Sequence, residues 1–344
     1  MTHEFKDIVA SYLKAVEQNK QSVLVSVVDL EGSAYRRPGV RMLISEDGKM
    51  TGAISGGCVE KDVLKEATSV FKTGDPKMML YDGRYRLGCE GGIYILIEIF
   101  NPPSQLISEF YKSIEDRRSL TASSYYSREL NSKDVLGTII KVSGQEFSVN
   151  QNRSIESLKQ AGKSIFDQVL PPMFQLVIFG GEFDAAKLCM QANFLGWQVV
   201  LVTTPFDGYT KANFPGSSKV LQATADQLPT DLIDENTAVV MMNHNYAKDL
   251  NYLMAIKDSR PIYLGWLGPV KRRNKLLDDL MDRNIELPDE FMEVIHGPAG
   301  LNLGAESAEE IALSICSEII SVQRKRDAGN LKYLAGEIHR PVSN

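Results

Sequence analysis

Phe174-Gln175-Leu176-Val177-Ile178-Phe179-Gly180-Gly181-Glu182-Phe183-Asp184-Ala185 reads as an apolar strand, a glycine turn and the start of a helix. The same alternation runs on from there. Strands are expected at 175–179, 197–202, 238–242 and 262–264, and helices at 185–195, near 223–228, at 247–258, 270–283 and 308–326. Repeated βαβ units of this length imply a parallel sheet with helices on both faces. Ligands in such a fold sit beyond the carboxyl ends of the strands. The residues to weigh are therefore Gly180-Gly181, Thr203-Thr204, Asn243-His244-Asn245 and Gly265-Trp266-Leu267-Gly268.

Against the dinucleotide fingerprint G-x-G-x-x-G/A, Gly180 and Ala185 fit, but Glu182 stands where the second glycine lets backbone approach a pyrophosphate. A carboxylate there repels phosphate. No acidic residue ends the second strand to hold a ribose; it closes on Thr203-Thr204-Pro205, with Asp207 beyond the proline. This leaves two readings open. The shell binds NAD(P), with His244 as an acid or base, or it is kept for architecture or another ligand.

Upstream the pattern differs. A helix is expected over 5–18, strands at 22–28, 41–44, 50–54 and 93–100, and a helix from about 59 to 71. Residues 103–170 carry a helix, polar strands around 119–126, 136–142 and 146–149, and another helix. Pro171-Pro172 then breaks the chain. The expected architecture is α/β: an N-terminal α+β domain over 1–170 and a C-terminal Rossmann-like domain over 171–344.

Composition excludes several classes of function. A chain of 344 residues, 43% hydrophobic and 24% charged, can bury two cores. It has no apolar run of transmembrane length and no basic leader ahead of an apolar stretch, so no membrane role and a cytoplasmic location are expected. The net charge of −6 and the absence of a long basic stretch argue against nucleic acid. Four cysteines without a secretory leader point to reduced thiols. With only four histidines and no C-x-x-C, a closed zinc site has no support, and no G-x-S-x-G elbow marks a hydrolase.

Two of the cysteines are set in glycine, in Ser55-Gly56-Gly57-Cys58-Val59-Glu60 and Leu87-Gly88-Cys89-Glu90-Gly91-Gly92. Glycines leave room for a ligand to come close. Cys189 and Cys316 lie in apolar helical runs and read as small hydrophobes. Cys58 opens a helix, whose N-terminus favours an anion and lowers a thiol pKa, so it is the better reactive or ligating thiol. Cys89 comes second because of Glu90 beside it. Between two strands, Arg36, Arg37 and Arg41 gather around Pro38-Gly39, and guanidinium forks with the Gly56 and Gly57 amides suit a phosphate-bearing small molecule. The plainer reading is a solvated hairpin with surface arginines.

Taken in order, Gly32-Ser33-Ala34 with Arg37-Pro38-Gly39, Gly52-Ala53-Ile54-Ser55-Gly56-Gly57-Cys58-Val59-Glu60 and Gly88-Cys89 with Gly91-Gly92 resemble the XdhC/CoxI family of xanthine dehydrogenase accessory proteins. The resemblance continues through residues 239–244 with Asp249, Tyr263-Leu264-Gly265 with Leu267-Gly268, and Gly300-Leu301-Asn302-Leu303-Gly304-Ala305-Glu306 followed by Glu309-Glu310-Ile311-Ala312. Glu182 and Pro269 depart from it, where the family usually has a glycine-rich turn and often a serine.

The resemblance implies a protein that binds the molybdenum cofactor (molybdopterin), supports its sulfuration with a cysteine desulfurase and delivers it to a xanthine dehydrogenase-type apo-hydroxylase. On that reading Arg36, Arg37 and Arg41 with Ser55, Gly56 and Gly57 hold the phosphate. Cys58, the expected metal contact, and Cys89 meet a thiophilic metal centre, and Gly180, Gly181 and His244 line the second domain's crevice. An NAD(P)-dependent oxidoreductase and a docking scaffold are the other readings. A homodimer is expected on general grounds.

Overall fold

Phe5, Ile8, Val9 and Tyr12 recur at helical spacing and bury together, and this makes the first helix, α1 (Thr2–Glu17). In the computed structural model, residues 2–32, 37–55, 57–82, 91–130, 134–161, 164–283 and 285–334 are described. They fall into two units, Met1–Pro172 and Met173–Asn344.

The first unit continues with β1 (Ser22–Glu31), β2 (Arg41–Ser45), β3 (Met50–Thr51), α2 (Cys58–Thr73), β4 (Lys77–Asp82) and β5 (Gly92–Ile99). After these come α3 (Ser104–Glu115), β6 (Leu120–Tyr126), β7 (Gly137–Val142), β8 (Gln145–Ser148), α4 (Ile155–Ala161) and β9 (Ser164–Leu170). Two antiparallel sheets result, one ordered β3-β2-β1-β5-β4 and the other β8-β7-β6-β9. One face of the larger sheet, with Val23, Val25, Val27, Met42, Ile44, Ile95 and Ile97, packs on Val59, Val63, Ala67 and Val70 of α2. The other face brings Met78, Tyr94 and Leu96 against Tyr126 and Leu136, but a polar seam runs beside them.

That seam centres on Arg41 and Glu98, 6% and 3% exposed. Arg41 Nη1 donates to Gly39 O at 3.2 Å and to Gln168 Oε1. Gly39 lies at φ +97°, a conformation that favours glycine, and a Cβ on it would have to displace the Gln168 amide. Thr138 donates to Glu98 through its backbone N–H (3.0 Å) and its hydroxyl (2.6 Å). Burial pushes Glu98 up to about 7, although the Thr138 hydrogen bonds and the Arg41 charge pull the other way. Burial likewise lowers Arg41 to about 10.

In the second unit the elements are β10 (Gln175–Phe179), α5 (Phe183–Phe194), β11 (Gln198–Thr203), β12 (Lys219–Gln222), β13 (Thr237–Met241), α6 (Tyr246–Ile256), β14 (Tyr263–Trp266), α7 (Val270–Asp282), α8 (Asp289–Glu293), β15 (Ile295–His296) and α9 (Ala308–Gln323). The sheet is parallel throughout, in the order β12-β11-β10-β13-β14-β15. This is the dinucleotide-fold order 3-2-1-4-5-6, with its switch point between β10 and β13. One face of the sheet packs on α5 and α9 and the other on α6, α7 and α8. The helix expected near 223–228 is instead one 3-10 turn, Ala225–Gln227, capped by Thr224 after the short strand β12.

Because Glu98 ionises only near pH 7 in the fold but near 4.5 when unfolded, its contribution to stability is complete below about pH 4.5. It is lost as pH rises through 7. Urea midpoints measured from pH 5 to 8 should fall, with a total loss on the order of 2–3 kcal/mol. Glu98→Gln should remove most of that slope.

Candidate functional site

Strand register gathers the sequence's most distinctive loops at one end of the five-stranded sheet. Glu31, the last residue of β1, pairs with Gly92, the first of β5, and Gly92 also faces Asp82, the last of β4. Arg41, the first residue of β2, pairs with Ser26, and β3 leaves toward the same end through Thr51, opposite Leu43. The connections 32–40, 52–57 and 83–91 therefore all depart from this end. Residues 33–36, 56 and 83–90 lie outside the described residues, so Arg36, Gly56 and Cys89 do too, and so does the Cys58 side chain.

Gly57 caps α2 at φ +116°, a conformation only glycine adopts freely, and Cys58 is the first helical residue. The turn before it is tied by Ser55 and Glu60. The Ser55 N–H and hydroxyl each donate to the Glu60 carboxylate at 2.6 Å, while Ser55 Oγ accepts from Gly57 N–H (3.2 Å) and Val59 N–H (3.3 Å). Burial works to raise the Glu60 pKa, but these hydrogen bonds outweigh it and hold the carboxyl below its usual range. The Gly57 N–H, expected to reach a ligand phosphate, has Ser55 Oγ as an acceptor within the loop at 3.2 Å. The carboxylate also sets a negative charge in the first turn, opposing the helix end's tendency to stabilise a thiolate.

Arg37 and Arg41 lie in different surroundings. Arg41 is a correction. Its guanidinium lies between the sheets of the first unit, held by Gly39 O and Gln168, because its side chain leaves β2 on the inner face. Arg37 is exposed at the Pro38-Gly39 turn, which Gly39 N–H ties to Val27 O at 2.8 Å. Arg128 is exposed near this end as well, where its Nε donates to Asp29 of β1 at 2.7 Å.

In the second unit Gly180, Gly181 and His244 do meet at the switch point, but the space between them is filled. Gly180 has φ +126°, and a Cβ on it would strike Glu182 Oε2 at 2.8 Å and the Asn243 nitrogen at 2.9 Å. Glu182 caps α5, and its Oε1 accepts the His244 N–H at 3.3 Å while Oε2 is buried without a hydrogen-bond partner. A Cβ on Gly181 would meet the Tyr209 ring at 2.5 Å. Where a pyrophosphate would lie, the chain supplies its own carboxylate and an aromatic ring. Asp207 is engaged as well, by the Thr204 N–H at 2.9 Å and by Lys248 at 3.4 Å.

Two further clusters join residues of the quoted segments, Asn243, Asp249, Tyr263 and Gly300, to partners outside them, Arg272 and Glu318. Asp249, fully buried, accepts from Asn243 Nδ2 at 3.0 Å and from Arg272 Nη2 at 2.6 Å, and Arg272 Nη2 also reaches Asn243 O at 2.7 Å. Burial still raises the Asp249 carboxyl. Glu318 receives the Tyr263 hydroxyl (2.6 Å), the Gly300 N–H (2.7 Å) and His296 Nδ1 (3.1 Å), and His296 stacks on Tyr263 at 4.5 Å. Spacings of 22 and 55 residues hide such partners from a sequence reading. Among the described residues no three His, Cys, Asp or Glu side chains are grouped to hold a metal ion. Burial pushes the Cys189 and Cys316 thiols up to about 12.

A sequence model described as the XdhC Rossmann domain matches residues 176–319, and one described as the XdhC and CoxI family matches residues 15–82. Over 339 residues the chain is 25% identical to a probable xanthine dehydrogenase subunit from Bacillus subtilis, covering 90% of this chain and 96% of that protein. It is 26% identical over 328 residues to the molybdenum cofactor insertion chaperone PaoD of Escherichia coli, covering 94% and 90%. The crystal structure of a xanthine dehydrogenase from Bacillus halodurans shares the fold, at a TM-score of 0.75 and 24% identity over 95% of this chain and 99% of that one. With both models matched in chain order, one over the loops at the sheet's end and the other over the closed Rossmann shell, this chain belongs to the XdhC/CoxI family.

Proposed function

We propose that this protein binds the molybdenum cofactor, supports its sulfuration and delivers it to a xanthine dehydrogenase-type apo-hydroxylase, with a cysteine desulfurase as second partner and the cytoplasm as its location. The observation carrying this reading is the departure of the arginine turn, the Ser55–Cys58 loop and the β4–β5 connection from one end of one sheet. A guanidinium for phosphate and thiols for a soft metal are the donors such a cofactor needs. When bound, the cofactor supplies a redox-active molybdenum centre; Arg37 is assigned its phosphate and Cys58 its metal edge. The insertion chaperone PaoD, similar along nearly the whole chain, supports the same reading. No helix among the described residues is long and apolar enough to cross a membrane, which accords with a partner reached in solution.

The test is retention of molybdenum and pterin by the purified full-length chain after incubation with the cofactor, read by mass spectrometry, together with activation of apo-hydroxylase. Cys58→Ala should retain at least about 10-fold less, and Arg37→Ala should weaken binding by about 10-fold with a reduced salt dependence. Retention by Cys58→Ala equal to the parent would sink the thiol's role.

The oxidoreductase reading requires a pyrophosphate at the switch point, where Glu182 and Tyr209 already lie. NADH titrated into the parent chain should give no saturable fluorescence change up to about 1 mM, and Glu182→Gly should bind it at least about 10-fold more tightly by removing like-charge repulsion. Micromolar saturation by the parent would restore the oxidoreductase reading.

A further inference from the structure

The outer faces of α5 and α9 are apolar where solvent is expected. These helices lie together on one side of the parallel sheet, burying Ala185, Leu188, Cys189 and Ala192 of α5 with Ala312, Ile315, Cys316 and Ile319 of α9. Their opposite faces carry Phe183, Met190 and Phe194, at 69%, 50% and 84% exposure, and Leu313 and Ile320, at 48% and 36%. On α5 the three recur at i, i+7 and i+11, and on α9 the two recur at i and i+7, so each set forms one stripe along its helix. Scattered surface leucines need no explanation, but aligned stripes on adjacent helices mark an interaction surface.

The charge pattern of α9 identifies the occupant. Glu306, Glu309 and Glu310 crowd its beginning and Arg324, Lys325 and Arg326 its end, with Leu313, Ser317 and Ile320 between them on the exposed side. A surface that is acidic at one end, basic at the other and apolar in the middle is complementary to itself when turned through a half rotation. Around Ser317, Glu310 and Arg324 are each seven residues away, and Leu313 and Ile320 are four and three residues away. At about 1.5 Å of rise per residue, an antiparallel copy therefore sets Glu310 opposite Arg324 and Leu313 opposite Ile320 in one register. The small Ser317 at the centre lets the two backbones approach. The like-charged ends that a parallel pairing would bring together disfavour that alternative.

We propose that the surface is the dimer interface of this protein: two copies pair through antiparallel α9 helices about a two-fold axis at Ser317, with Phe183, Met190 and Phe194 of α5 widening the contact. This inference stands apart from the cofactor reading, since it uses none of the residues assigned to the cofactor.

Sedimentation velocity of the full-length chain from about 0.5 to 50 μM should show a concentration-dependent dimer. Leu313→Glu should weaken it at least about 100-fold, with an unchanged circular dichroism spectrum because the side chain is exposed. Adding Ile320→Lys to that variant should recover much of the loss, since each new glutamate then faces a new lysine of the other copy. Ser317→Cys should cross-link to a covalent dimer on mild oxidation, beyond any background of the parent. A monomeric parent at 50 μM, a dimer indifferent to Leu313→Glu, or a double variant weaker than the single one would overturn the proposal. The first of these outcomes would leave the face to a different protein.

Discussion

The antiparallel register of β1 with both β2 and β5 is the constraint on which the first unit depends. One ten-residue strand, flanked on both sides, decides at once which residues face α2, which face the second sheet, and where every connection leaves. Because side chains alternate across a strand, the pairing that sends Val23, Val25 and Val27 to α2 also sends Ser22, Leu24 and Ser26 the other way. Their cross-strand partners Arg41 and Glu98 follow them inward. A slip by one residue would turn the apolar set toward the second sheet and leave two charges facing α2, so the buried polar seam and the loop-bearing end come from a single choice of register.

The seam explains an ambiguity in the arginine turn. Three arginines near a glycine look like an anion site in the sequence, but Arg41 is the first residue of a strand, and alternation rather than composition decides where it points. Burying a guanidinium beside a carboxyl costs solvation that Gly39 O, Gln168 and Thr138 offset only in part, because Arg41 Nε and Nη2 are buried without a hydrogen-bond partner. An exposed Arg37 and an interior Arg41 thus differ in environment although they stand four residues apart.

How far the sequence could be read follows from how strongly each segment's pattern repeats. The parallel sheet of the second unit was legible because its strands are continuous apolar runs separated by amphipathic helices. The glycine-set loops were visible because a thiol between glycines has no packing purpose. By contrast β9 was hidden, since Ile165 and Val169 point to solvent while Gln168 points inward, the reverse of the expected alternation. β4 was missed because Lys77-Met78-Met79-Leu80-Tyr81-Asp82 has no alternation, and β12 because four residues at a sheet edge carry little pattern. In the site, Glu182 could be read as hostile to phosphate, but the ring of Tyr209 over Gly181 could not, because it arrives from a loop 28 residues away. The Ser55–Glu60 closure and the Asp249–Arg272 pair likewise depend on side-chain directions that no spacing rule supplies.

The two interior thiols have a practical consequence for anyone handling the protein. Held within the packed layer of α5 and α9 and protonated far above neutral pH, Cys189 and Cys316 lack both the access and the thiolate that alkylating or oxidising reagents require. As the chain has four cysteines in all, adducts gained by the native protein under gentle treatment report on positions 58 and 89. Intact-mass analysis thereby turns a single buried layer into a built-in control for the chemistry of the other two.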